Sequence, residues 1–253
     1  MLAGAVETLV EAVLAGDSGS LTELLAEGIS PDSRDGGSTP LYTAAAQGEA
    51  ELASLLLRAG ADPNLRSSGE QEGTPLCAAA CHGHLELVRA LLAHGADPNQ
   101  REDEWWTPLR WAASQGDEAV ARELLAAGAD PDLCAPLAEA ARRGSLGVAR
   151  TVLEHGADPQ ESDPEGRTAL EIAEEMAAND VEGQLVRRVD LLVEALEHGR
   201  KGAEIATSRT PRSDGTELIS VEARFPDGRA VGSELQTGHA QIAALLRSRR
   251  LPA

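Results

Sequence analysis

A mainly α, solenoid fold is the class this sequence predicts, and three observations carry the prediction. The phrase Gly-Ala-Asp-Pro recurs as Gly60-Ala61-Asp62-Pro63, Gly95-Ala96-Asp97-Pro98, Gly128-Ala129-Asp130-Pro131 and Gly156-Ala157-Asp158-Pro159, at intervals of 35, 33 and 28 residues. A second phrase accompanies it: Thr39-Pro40-Leu41, Thr74-Pro75-Leu76, Thr107-Pro108-Leu109, Ala135-Pro136-Leu137 and Thr168-Ala169-Leu170. Apolar residues make up 42% of the chain but aromatics only 2%, so the core must be built from Ala, Leu and Val. Such small side chains suit helices packed very close together. A period near 33 of this make-up belongs to stacked units, none of which can bury its apolar face alone.

The clearest unit spans residues 74–99. Pro75 sits where a helix can begin, because its missing N–H would have no partner there, and Thr74 before it can cap. Gly83 ends the short first helix. Leu85, Val88, Leu91 and Leu92 then recur at helical spacing for a second helix, which Gly95 stops with a left-handed cap. Asp97-Pro98-Asn99 opens a turn, since Pro restricts φ and Asn tolerates the left-handed region. The unit reads as helix, turn, helix and projecting loop.

These residues resemble the ankyrin repeat, whose pattern is Thr-Pro-Leu-His, then Ala-Ala, Gly-His, an apolar helix and Gly-Ala-Asp. The resemblance spans roughly residues 5–180 and is specific, because several phrases recur in order. It implies a solenoid of helix-turn-helix units with projecting β-turn fingers. One departure is consistent: the family's histidine after Thr-Pro-Leu is Tyr42, Cys77, Arg110, Ala138 and Glu171 here. That histidine helps stitch neighbouring turns in the family, so a less rigid array is expected.

Residues 1–37 read as a divergent capping repeat, in which Leu9, Ala12, Val13, Leu21, Leu24 and Leu25 keep the apolar pattern and Gly16 and Gly28 keep the stops. Residues 38–180 hold the repeats. Five residues are missing from the loop between Asp130 and Ala135, so a finger is expected to be nearly absent there and to leave a notch near Asp132. Residues 181–253 form a carboxy-terminal cap or appendage. A long amphipathic helix is expected through Val181, Leu185, Val189, Leu192, Val193 and Leu196. A β-hairpin follows, with strands Glu217–Ala223 and Arg229–Leu235 around Pro226-Asp227-Gly228, and a closing helix from His239 to Arg249.

The net charge of −20 repels nucleic-acid phosphates and favours a cationic partner. From residue 199 onward there are nine Arg or Lys against six Asp or Glu, which leaves −23 on residues 1–198. Three cysteines, Cys77, Cys81 and Cys134, are too few for a disulfide scaffold and fit a reducing, cytoplasmic setting. No stretch of 18 consecutive apolar residues suggests a membrane span. Lys201 is the sole lysine against 21 arginines, which together with abundant Ala and Gly matches a GC-rich bacterial coding sequence.

Catalysis is not expected. No glycine-rich phosphate loop and no Gly-x-Ser-x-Gly occurs, and the carboxylates read as solvated surface. Cys77, Cys81, His82, His84 and His94 lie close in sequence, but His84 matches the family's structural Gly-His and small buried Cys suits an Ala-rich helix. Neither metal nor cofactor is expected.

In the family, ligands lie along the fingers and the ends of the first helices. The resemblance therefore places candidate fingers at Asp35–Ser38, Glu70–Gly73, Asp103–Trp106 and Pro164–Arg167. Its groove positions are Ala46-Gln47, Cys81-His82, Ser114-Gln115 and Arg142-Arg143. Asp103, Glu104, Trp105 and Trp106 stand out, because two of the chain's five aromatics adjoin on one finger where the family usually places Gly at the first. Trp and Arg are enriched among interface residues whose loss costs about 2 kcal/mol or more. Packing is the alternative, with one ring folded back near Trp111. The expected protein-binding set is Asp103, Glu104, Trp105, Trp106, Arg110, Ser114, Gln115, His82, Gln47, Arg142 and Arg143. The expected function is that of a non-catalytic module, a monomer, binding another protein with a basic surface. Two alternatives remain: a neutralising, immunity-type inhibitor of a cationic enzyme, and a scaffold for a ligand-binding carboxy-terminal segment.

Overall fold

The computed structural model describes residues 8–68, 73–178, 185, 186, 189, 204–225 and 230–249. Most of the expected long helix, the turn residues 226–229 and the finger residues 70–72 lie outside them. The chain divides into two compact units, Met1–Cys134 and Ala135–Ala253.

The first unit contains α1 (Leu9–Leu14), α2 (Ser18–Ala26), α3 (Pro40–Gln47), α4 (Ala50–Arg58), α5 (Pro75–Cys81), α6 (Leu85–Ala93), α7 (Pro108–Gln115) and α8 (Glu118–Ala126). The Thr-Pro-Leu phrase starts α3, α5 and α7. Thr39, Thr74 and Thr107 are extended, and their hydroxyls accept the backbone N–H of Tyr42, Cys77 and Arg110. Each satisfies one N–H that a helix leaves open at its start, and the following Pro has none to satisfy. Gly48, at φ 78, turns the chain after α3, and a Cβ there would meet the ring of His84 at 2.6 Å. The family-like histidine therefore packs on the neighbouring unit's glycine.

The helices form two layers, because each unit must bury its face on its neighbours. First helices pack in the order α1, α3, α5, α7 and second helices in the order α2, α4, α6, α8, with each first helix also packed on its own second. Between them lies a core of Leu and Ala, including the fully buried Ala44, Ala45, Leu56, Ala79, Ala80, Leu91, Ala112 and Leu124. Asn64 and Asn99 tie successive loops: their side-chain oxygens accept the N–H of Asp97 and Asp130, both at 2.7 Å.

The second unit begins with α9 (Pro136–Arg143), α10 (Leu146–Glu154) and α11 (Ala169–Ala178); α9 packs on α10 and α11. The phrase at Ala135 lacks a capping hydroxyl. Cys134 and Ala135 instead take φ of 64 and 52, consecutive left-handed non-glycine residues where the linker has lost its five residues. Isolated two-residue bridges close the fingers at Asp35 with Ser38, Ser67 with Gly73 and Ser162 with Thr168, whereas no bridge occurs among the described residues between 130 and 136.

After these helices come three strands, β1 (Glu204–Pro211), β2 (Glu217–Arg224) and β3 (Ala230–Gln236), in an antiparallel sheet of order β1-β2-β3, and then α12 (His239–Ser248). The expected strands and closing helix correspond to β2, β3 and α12. β1 is an addition to the expected hairpin, joined to β2 through a turn in which Gly215 takes φ 81 and Asp214 accepts the N–H and hydroxyl of Thr216. Ile219, Val221 and Ala223 of β2 bury against Leu185 and Val189, flanked by Val186, Phe225, Val231 and Leu235. The segment is thus more than the bare hairpin expected, and α12 packs chiefly on α11.

Candidate functional site

The finger from Glu102 to Trp106 is closed by a hydrogen bond from the Glu102 N–H to the Trp106 carbonyl (2.9 Å). At its tip one carboxylate oxygen of Asp103 accepts the N–H of Trp105 (2.7 Å) and of Trp106 (2.9 Å). Asp103 is therefore the residue that shapes the tip, an Asx-type turn in which a short side chain replaces a backbone acceptor. The Glu104 carbonyl accepts from Cys134 Sγ at 3.8 Å.

The two tryptophans separate into different roles. Trp106 folds back onto Trp111, the first-turn ring of α7, with centroids 4.0 Å apart and planes 24° from parallel. The Arg110 guanidinium lies 4.6 Å from the Trp106 centroid. Arg110 is only 9% exposed and donates to the Trp105 carbonyl at 3.0 Å. Arg110, Trp106 and Trp111 thus make one stacked platform, held by cation–π and ring–ring attraction. Trp105 rides on that platform by its backbone while its side chain turns outward, 44% exposed.

Glu102 braces the base. Its carboxylate accepts the Trp111 indole N–H (2.8 Å) and the Thr74 N–H (3.2 Å), joining α7 to the start of α5. A Cβ on Gly73, at φ 147, would come within 2.1 Å of the same carboxylate, so the preceding finger closes directly against it. Burial raises the Glu102 carboxyl above its ordinary value, against the lowering by its donors. Burial, with Glu102's charge second, also raises Tyr42 and pushes Cys77 well above the usual thiol range; Cys81 is raised for the same two reasons. Cys134 is raised by burial. Such thiols are poor thiolate sources. Among the described residues no three His, Cys, Asp or Glu side chains converge on a metal position.

The remaining expected residues distribute as follows. Gln47, His82 and Gln115 stand at or just past the ends of α3, α5 and α7, neighbours in the first-helix layer. Gln47 and Gln115 are exposed, whereas His82 bonds the Ala78 carbonyl (2.9 Å) and stacks on His84. Ser114 donates to the Trp111 carbonyl at 2.8 Å. In the second unit, Arg142 pairs with Glu139 (2.7 Å) and with Asp163 (2.8 Å), whose side chain is 1% exposed. Asp163 also pairs with Arg167 and accepts its N–H, so Arg142 helps hold the 162–168 finger. Arg143 donates to the Glu234 carbonyl at 2.6 Å, which ties α9 to β3. Both arginines serve the second unit's own packing.

Sequence reasoning missed the bracing role of Glu102. It is nine residues from Trp111 and 28 from Thr74, and no local pattern signals either contact.

The family model described as ankyrin repeats (3 copies) matches residues 9–102, 50–135 and 109–195. The crystal structure of the human ASB11 ankyrin repeat domain is similar, with 28% sequence identity and a TM-score of 0.59 over 66% of this chain and 76% of that one. No curated protein matches.

Proposed function

This chain belongs to the ankyrin-repeat family, whose repeats generally bind other proteins, and from that premise we propose that it is a non-catalytic binding module whose principal anchor is Trp105. The observation that carries the reading is the contrast between the adjoining rings: Trp106 is spent on packing, while Trp105 stands 44% exposed on the platform this packing makes. A large apolar ring on a braced loop loses little freedom on binding, which is what distinguishes an interface anchor from an ordinary surface residue. Asp103 and Glu104 are exposed beside it, and Gln47 and Gln115, exposed at the far ends of α3 and α7, are secondary candidates.

The partner is a protein with a basic surface. The charge of −20 supports this by raising the encounter rate with a cationic protein and opposing nucleic acid. Neutralisation of a cationic enzyme is a special form of the same reading. No helix among the described residues is long and apolar enough to cross a membrane, and the three cysteines are free thiols, which supports a cytoplasmic, reducing setting.

The test is affinity capture with the immobilised full chain, comparing wild type with Trp105→Ala. Loss of about 2 kcal/mol, roughly 30-fold in affinity, with unchanged melting is expected. Capture of every partner at undiminished affinity by the variant would remove the finger from the interface.

A further inference from the structure

The three-stranded sheet has two edges, and they differ. Thr237 donates its N–H to the Glu217 carbonyl (2.9 Å), so Glu217 and its alternate neighbours Ile219, Val221 and Ala223 bond toward β3. The residues between them bond toward β1, where their partners are Thr210, Ser208 and Ala206. Arg212, donating to the Thr216 carbonyl at 2.9 Å, continues that alternation. It follows that Ile205 and Thr207 turn their N–H and C=O groups away from the sheet.

On β3 the outward residues are Gly232, Glu234 and Gln236. The Glu234 carbonyl accepts from Arg143, and a Cβ on Gly144 would lie 2.1 Å from the Gln236 carbonyl. The end of α9 therefore closes that edge at Glu234 and Gln236. Among the described residues nothing covers β1 in this way at Ile205 and Thr207. All eight of its residues are exposed, Ile205 at 45%, and no described residue bonds the outward backbone groups of Ile205 or Thr207. Pairing with β2 is one-to-one from Glu204 to Pro211, without a bulge, and β1 contains no lysine. Bulges and lysines are devices that normally protect an edge, and the protective residues β1 does carry, Glu204, Arg209 and Pro211, flank the Ile205–Thr207 stretch and leave it clear.

We propose that two copies of this chain join β1 to β1, antiparallel about a two-fold axis at Ala206, so that two three-stranded sheets become one of six. The occupant is a second copy because the open edge is self-complementary. With the axis at Ala206, Ile205 of each copy pairs with the partner's Thr207, and the donors and acceptors of both residues are satisfied reciprocally. Ala206 then faces its own counterpart across the narrow kind of antiparallel pair, about 4.5 Å between Cα atoms, where a small side chain fits. The exposed Ile205 side chain gains the partner's Thr207 methyl as a cross-strand neighbour. Closure follows, since a two-fold interface uses the same edge of both copies and α9 blocks the β3 edge at Glu234 and Gln236: the assembly stops at two.

Sedimentation velocity on the full chain over a dilution series tests this. Wild type should sediment as a dimer that dissociates on dilution. Thr207→Pro, which deletes an outward N–H and leaves the bonds of Ala206 and Ser208 to β2 in place, should be a monomer with the wild-type circular dichroism spectrum. In a Cys81→Ser background, Ala206→Cys should form a covalent dimer on oxidation, because about 4.5 Å lies within the Cα separation a disulfide spans, while Ser208→Cys should not. A wild-type monomer at every concentration, a Thr207→Pro dimer, equal cross-linking at 206 and 208, or species larger than two would each overturn the proposal.

Discussion

Trp106 and Trp105 are chemically identical neighbours in opposite surroundings, and only Trp106 is expected to matter for folding. Removing its ring strips the stack on Trp111 and uncovers Arg110, so Trp106→Ala should destabilise the first unit by about 2 kcal/mol, below the usual range for a fully buried Trp because the ring is half-buried. Thermal melts of Trp105→Ala and Trp106→Ala side by side give the comparison, and equal melting temperatures would show that the platform is not a platform. A second residue-scale expectation concerns pH. Burial lowers His239, which is 2% exposed, below its ordinary value of 6.5, although the Arg142 carbonyl within reach of Nε2 opposes this. Above 6.5 both folded and unfolded states hold it neutral. As pH falls through 6.5 toward the lowered folded value, the unfolded chain takes up a proton first, so stability declines over that window. Asp163 acts further down. Its burial is outweighed by the Arg167 N–H and by the charges of Arg167 and Arg142, which hold it below 3.8; its contribution is full above 3.8 and lost as pH falls through the folded value. His239→Gln should flatten the upper decline of the melting temperature and leave the lower one, and Asp163→Asn should do the reverse.

At the scale of elements, the repeat phrases translate directly into helices where the capping Thr is present and awkwardly where it is not. α3, α5 and α7 start on a capping Thr followed by Pro, whereas α9 starts on Ala135 at φ 52, a conformation in which an alanine Cβ costs about 1–2 kcal/mol. Ala135→Gly is therefore expected to raise stability by about 1 kcal/mol, read from the melting of the intact chain. The opposite result is expected at Gly144, which has φ 76 and faces the Gln236 carbonyl: Gly144→Ala should destabilise the second unit, because neither the backbone nor the carbonyl can yield cheaply. The strands were only partly legible. β2 alternates buried Ile219, Val221 and Ala223 with polar residues and can be read by its period of two. β1 buries nothing, so its Glu-Ile-Ala-Thr-Ser-Arg-Thr-Pro run has no inward face to declare. The Asp214-Gly215 turn was the one local signal for it.

For the molecule as a whole, the charge balance gives the remaining expectation. With −23 on residues 1–198, association with a basic partner should slow steeply as salt shortens the Debye length below about 8 Å, while dissociation, set by the Trp105 contact, should change little. Stopped-flow or surface-binding rates across a salt series measure both; an on-rate indifferent to salt would remove steering from the account. Composition and periodicity by themselves determined the solenoid class, the positions of the first helices, β2 with β3 and the closing helix, while the finger positions came from the family resemblance. These are local properties, repeated so often that each copy corroborates the others. What only the tertiary structure decided is which of two equivalent tryptophans stays outside, that Glu102 stitches two repeats together, that Arg142 and Arg143 pair with Asp163 and Glu234, and that one sheet edge is met by α9 while, among the described residues, nothing bonds Ile205 and Thr207 on the other. Each of these depends on which distant side chain or carbonyl arrives alongside, and spacing along the chain does not encode that encounter.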